Sequence, residues 1–328
     1  MHLVGLRRGS KKQMTLRRLS EVRMMGDTVP NGNAWPELRW EDWSSTVDTL
    51  HMWTQIVGKT RLELSPLQAH WWNVPLYVSA RGLSTAAMPY GAEFLEIEFD
   101  FVSHELRFHL STGASVTTPL RAQSVADFYT EYQKLLAELG VQVPIYSTPV
   151  ELAHPIPFAQ DVEHASYDPD AAHRFWRVLV RADQVFQKFS SRFVGKVSPV
   201  HFFWGSFDLA VTRFSGRPAP PREGADRITR EAYSQEVISA GFWPGNGGYG
   251  KAAFYCYAAP APAGLDAATI QPAQAFFDRG LGEFILPYED VRQAASPDEA
   301  LLAFLQSTYD AAADLAKWDR KALERQPG

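Results

Sequence analysis

The sequence predicts an α+β protein in which two diverged helix-strands-helix repeats form a largely antiparallel sheet covered by helices. Three observations point there: four capped amphipathic helices, runs that alternate apolar and polar residues between them, and one ordered set of short motifs that occurs twice. Helices and strands with one apolar side each must bury those sides against one another.

The first helix is expected over about 43–57, where Trp43, Val47, Leu50, Thr54 and Val57 recur at three- and four-residue steps. A second starts at Ser124 with Asp127 three residues on, a capping-box pattern, and stops at Gly140. A third opens with Asp168 as cap and Pro169 in the first turn, and the last with Ser296, Pro297 and Glu299. Strands lie between them. Leu95, Ile97, Phe99 and Phe101 alternate with charged residues, and the chain returns through Leu106, Phe108 and Leu110. Further strand signals cover 74–78, 253–258 and 283–286. The stretch 201–214 reads as one strand, with Phe203, Phe207, Leu209 and Val211 on one face and Ser206, Asp208 and Thr212 on the other.

A helix, then Val57-Gly58-Lys59, a Ser-Pro pair, His70 with two tryptophans, and Leu76-x-Val78 recur as a helix, Val194-Gly195-Lys196, Ser-Pro, His201 with aromatics, and Leu209-x-Val211. Such repetition decides architecture before local patterns do. It gives a first repeat over 35–150 and a second over 151–320, with a tail over 321–328. The second repeat is longer by an inserted loop over 215–250, rich in Pro and Gly and carrying a short helical piece over 229–238.

A chain of 328 residues with 45% hydrophobic and 21% charged content can bury a core without disulfides or a structural metal. The single cysteine, Cys256, cannot make an internal disulfide, no signal-like segment opens the chain, and no apolar run nears the roughly 20 residues of a membrane span, so a cytoplasmic location is expected. Net charge is −5, but residues 1–34 hold seven Lys and Arg against Glu21 and Asp27, leaving 25 cations and 35 anions on the rest. With little apolar content, this leader reads as a disordered tail, or as an extension ahead of a start at Met24 or Met25. The acidic body argues against a nucleic-acid partner.

Long strings over 50–59 (LHMWTQIVGK), 70–77 (HWWNVPLY), 164–169 (HASYDP), 199–208 (PVHFFWGSFD) and 241–244 (GFWP) resemble the bacterial family known as domain of unknown function five-nine-nine-six, over about residues 35–320. The resemblance implies no activity. The family pattern has a histidine where this chain has Gln235.

The candidate chemistry gathers around His201. On a regular strand His201 and Arg213 share the apolar face and Asp208 points away, so His201 as an acid or base needs a partner from elsewhere: its counterpart His70, or Tyr233 and Glu236. Against this stands a core histidine bonded to backbone, with Arg213 and Asp208 in ion pairs. Lys59 and Lys196, after Val-Gly at helix ends, either complement the helix dipole or hold an anionic ligand between them. His51 and Gln55, one turn apart, are placed to face a cleft, and Trp204 and Trp243 to supply aromatic contacts. No metal motif and no Gly-x-Ser-x-Gly elbow occurs, and the GNGGYG string over 245–250 lacks the strand and helix that a dinucleotide site needs. Cys256, between Tyr255 and Tyr257, reads as an inert buried thiol. The leading expectation is an enzyme with a small-molecule site between the repeats and His-based acid/base chemistry, its cofactor unknown; the rival is a non-catalytic module with an aromatic pocket for a small molecule or a partner. Either acts as monomer or homodimer.

Overall fold

The computed structural model of the chain describes residues 34–152 and 154–325. The basic leader, but for Ala34, and residues 326–328 of the expected tail lie outside them. Among the described residues, the first half runs α1 (Trp40–Leu64), β1 (Tyr77–Val78), β2 (Gly82–Ser84), β3 (Met88–Tyr90), β4 (Glu93–Asp100), β5 (Glu105–Leu110), β6 (Ser115–Pro119) and α2 (Val125–Glu138). The second runs α3 (Pro169–Ser191), β7 (His201–Phe203), β8 (Asp208–Pro218), α4 (Arg227–Ala232), β9 (Gln235–Trp243), β10 (Ala253–Ala259), β11 (Phe276–Asp278), β12 (Glu283–Pro287), α5 (Tyr288–Arg292), α6 (Pro297–Leu315) and α7 (Arg320–Leu323).

The strands form two six-stranded antiparallel sheets, β1-β2-β4-β5-β6 with β3 on β4, and β11-β12-β10-β9-β8-β7. The α+β class holds, with the expected single sheet divided in two. Their edges meet where Leu76 and Phe202 exchange two backbone hydrogen bonds, of 2.9 and 2.8 Å.

Caps behave largely as expected. Asp168 accepts from the Ala171 amide and Ser124 from the Asp127 amide, while the Ser296 side chain makes no such bond. Residue-by-residue equivalence of the two motif sets is not carried by the structure. Helix α1 continues to Leu64, because its middle is buried on all sides from Thr49 to Arg61, so Gly58 and Lys59 are interior to it. Gly195 and Lys196 instead follow α3 in a loop. His70 sits in a tight turn at φ 59°, whereas His201 is on a strand.

Two expectations about the second half are corrected. The stretch 201–214 is a hairpin: Phe207 turns the chain at φ 58°, and the pairs His201–Ala210, Phe202–Leu209 and Phe203–Asp208 reverse the expected parity. Opposed residues on antiparallel strands share a face. His201, Phe203, Asp208, Ala210 and Thr212 therefore lie on one side, and Arg213 lies on the other. The expected inserted loop also contains the end of β8 and all of β9, a central strand. Its run over 237–243 carries no charge, and periodicity cannot separate so short an apolar run from a helix.

One face of the second sheet packs on α3 and α6, with Leu209, Val211, Phe242, Phe254 and Leu286 buried there. The other face is aromatic and polar. Gly241 stands between Ala210 of β8 and Tyr255 of β10 in the register. A methyl there would come within 3.0 Å of both the Tyr255 ring and the Leu209 carbonyl oxygen, closer than such atoms approach. The Tyr255 ring thus lies across β9, and its hydroxyl donates to Asp208 two strands away. Overpacking of this kind costs about 1–3 kcal/mol. Gly241→Ala is expected to lower stability by that amount in urea unfolding; an unchanged midpoint would contradict the packing described.

Candidate functional site

The uncovered face floors a cavity of about 760 Å³. Alternation along the strands supplies Asp208 and Thr212 from β8, Ser239 and Trp243 from β9, Tyr255 and Tyr257 from β10, and Glu283 from β12. Asp48 and His51 of α1, the turn at His70 to Trp72, and Glu151 come from outside that sheet; α4 and the loop at Asn246 to Tyr249 complete the wall. The volume falls in the range of small-molecule sites.

At its centre Asp208, nearly buried, accepts from the Ser206 and Tyr255 hydroxyls, and burial raises its pKa. Tyr255 is driven well above its ordinary value by burial and then by the Asp208 charge. Tyr233 and Tyr257 share a 2.7 Å hydrogen bond. The Trp243 ring lies 5.0 Å from Tyr255 and 5.2 Å from Tyr249. Burial, then the charges of Asp208 and Asp278, push Glu283 up to about 7. Three non-glycine residues in left-handed backbone, His70, Trp71 and Phe207, fall in the two turns around the cavity. Such strain costs about 1–3 kcal/mol each and collects at functional sites.

Of the residues singled out in the sequence, His51, His70, Asp208, Tyr233 and Trp243 line the cavity. The His70 Nδ1 donates to the Glu231 and Ala232 carbonyls at 3.1 Å, which leaves Nε2 to accept from the Lys196 ammonium at 2.5 Å. Burial and the Lys196 charge lower its pKa. Lys196 also donates to Gln235 at 3.2 Å, so Gln235 belongs to this cluster. His51 bonds the Gly205 carbonyl at 3.0 Å, with the Gln55 amide 3.4 Å away.

The others lie elsewhere. His201 is buried just outside the cavity among Trp72, Tyr77 and Phe203, and neither ring nitrogen has a hydrogen-bond partner among the described residues. Arg213 faces the helices, its guanidinium 3.4 Å from the Phe189 ring centre and 4.2 Å from that of Tyr309, and donates to the Phe189 carbonyl. Glu236 pairs with Arg217 at 2.6 Å, and Arg217 also donates to the Ala316 carbonyl at the end of α6. Lys59 lies between the Tyr146 and Trp204 rings. Trp204 packs on Gly58 and donates to the Val74 carbonyl at 2.8 Å. Cys256 is on the helix side, its thiol pushed up to about 12 by burial.

Glu283, Tyr255, Tyr257 and Ser239 escaped the sequence reading. The alternation of Tyr255 and Tyr257 around Cys256 was visible, but only the hairpin register puts them beside Asp208. Among the described residues, no group of three His, Cys, Asp or Glu could hold a metal ion, and no helix is long and apolar enough to cross a membrane.

The chain belongs to DUF5996, a family of unknown function, whose model matches residues 35–325. No curated protein and no solved structure matches it.

Burial lowers the His51 and His201 pKa values from 6.5 to about 4, helped at His201 by the Arg61 charge. The unfolded chain takes up these protons below pH 6.5 and the folded chain does not, so stability is full above 6.5 and is lost as pH falls towards 4. The loss is on the order of 3 kcal/mol per histidine. Glu283 acts oppositely, since a raised carboxyl loses stability as pH rises from 4.5 to about 7. His201→Phe is expected to make the fall in melting temperature from pH 6.5 to 4 shallower than in the wild type; parallel curves would show that His201 takes up its proton equally in the folded and unfolded chain and would contradict its burial without a partner.

Proposed function

We propose that this protein binds a small organic molecule in the cavity over the second sheet. The observation that carries the reading is a cavity of about 760 Å³ into which both halves of the chain contribute polar and aromatic side chains. Packing alone would not leave so large a space against a central sheet, since interiors are close-packed.

A second reading, an enzyme acting on that molecule, is favoured by Glu283, whose carboxyl is pushed up to about 7, and by the Asp208–Tyr255 pair beside it. A carboxyl that exchanges its proton near neutrality on the floor of a cavity has the properties of a general acid or base. In this reading proton transfer falls to the carboxyls. Both nitrogens of His70 are engaged, and His201 is outside the cavity.

The test is thermal unfolding of the wild type and of Thr212→Trp against a diverse library of small molecules. Thr212 faces the cavity, so an indole there fills it. A ligand present at about 100 times its Kd adds about 2.7 kcal/mol of stability. Compounds that raise the melting temperature of the wild type and leave the folded variant unmoved are expected; hits that raise both equally would place binding elsewhere and sink the proposal.

A further inference from the structure

Resting on the reading of the cavity as a small-molecule site, we propose that its ligand is an organic cation: an ammonium group carried on a flat apolar body. The cavity's charge comes from one side only. Asp48 on α1, Glu151 between the halves, Asp208 on β8 and Glu283 on β12 reach it from four separate parts of the chain, and no Lys or Arg among the described residues lines it. Lys59 offsets Glu151, but no cation among the described residues acts on Asp208 or Glu283 at the floor, and an anionic ligand would meet their like charge. A cationic ligand supplies the missing countercharge.

The walls suit the same chemistry. Nine aromatic rings line the cavity, and Trp243, Tyr249 and Tyr255 meet at angles of 77° and 36°, which turns their faces in different directions, as around a partial cage. Ring faces carry negative charge density and attract ammonium groups within about 6 Å. Rings bordering the cavity already receive cations from the protein: Arg222 lies 3.8 Å from the Tyr233 centroid and Lys196 4.8 Å from that of Phe214. Lys196 is tied to His70 and Gln235 and is not part of the lining. The Asn246 Oδ1, buried and without a hydrogen-bond partner among the described residues, adds an acceptor to the lining and suits a ligand that brings N–H donors. Burial first, and then the Asp208 charge, raise the Glu283 pKa, which agrees with a site whose countercharge arrives with the ligand.

The experiment compares three soluble molecules with one ring system and different charge: tryptamine, tryptophol and indole-3-acetate, by calorimetric titration at about pH 8, where carboxyls are ionised and an amine stays protonated. In the wild type, tryptamine is expected to bind about tenfold or more tighter than tryptophol, with indole-3-acetate weakest; a tenfold difference corresponds to about 1.4 kcal/mol. In the double variant D208N/E283Q the preference for tryptamine over tryptophol is expected to vanish, with a wild-type circular dichroism spectrum showing that the variant is folded; a folded variant that keeps the preference would overturn the cation assignment. Tryptophol or indole-3-acetate binding the wild type as tightly as tryptamine would overturn the cation assignment and leave the small-molecule reading standing. A ligand of this size with ordinary efficiency, about 0.3 kcal/mol per atom, reaches a Kd of about 2 mM. Failure of all three to bind at about 5 mM would therefore overturn the assignment as well, and the library comparison with Thr212→Trp would decide the broader reading on its own.

Discussion

The Tyr255 hydroxyl donates to Asp208 across a strand that has no side chain in its path, because Gly241 occupies the point where the ring must pass. That one bond ties β8 to β10 over the face of the sheet. It lays the aromatic ring flat as the floor of the cavity and satisfies a carboxylate that burial alone would disfavour. The sheet can present such a face because α3 and α6 cover only its other side. Chain from outside the sheet then arches over the polar side, through the strained turn at His70 and Trp71 and through α1.

Much of this architecture was legible in the sequence. Caps at Ser124 and Asp168 and the alternation along Leu95 to Phe101 mark elements whose local chemistry and tertiary place agree. The errors cluster where two structures share one pattern. Apolar and polar residues alternate over 201–214 whether the chain is one strand or a hairpin, and the turn's left-handed position falls on Phe207 rather than on Gly205, so the sequence does not mark where the parity reverses. That turn decides whether Asp208 or Arg213 shares a face with His201. The β9 strand was hidden in the same way, since Val237 to Trp243 lies next to a helix-forming segment with no breaker between them.

The site was legible in part. His51, His70, Asp208, Tyr233 and Trp243 could be named because unusual residue types stand out against a core pattern. Glu283 could not, because a glutamate that opens a strand is ordinary until the fold brings it near Asp208. Conversely His201, Arg213 and Lys59 look functional in sequence and are buried in aromatic surroundings, where rings pack against the two cations. Residue type alone does not separate a buried charge stacked on rings from one that meets a ligand.

The aromatic face of the second sheet is where ligand binding takes place in this reading. The most direct measurement is a crystal structure of the protein with a compound that raises its melting temperature. Density for the compound is expected against Tyr255 and Trp243, with a polar atom within hydrogen-bond distance of Asp208. Density at another surface, with the cavity filled by its own side chains, would contradict it.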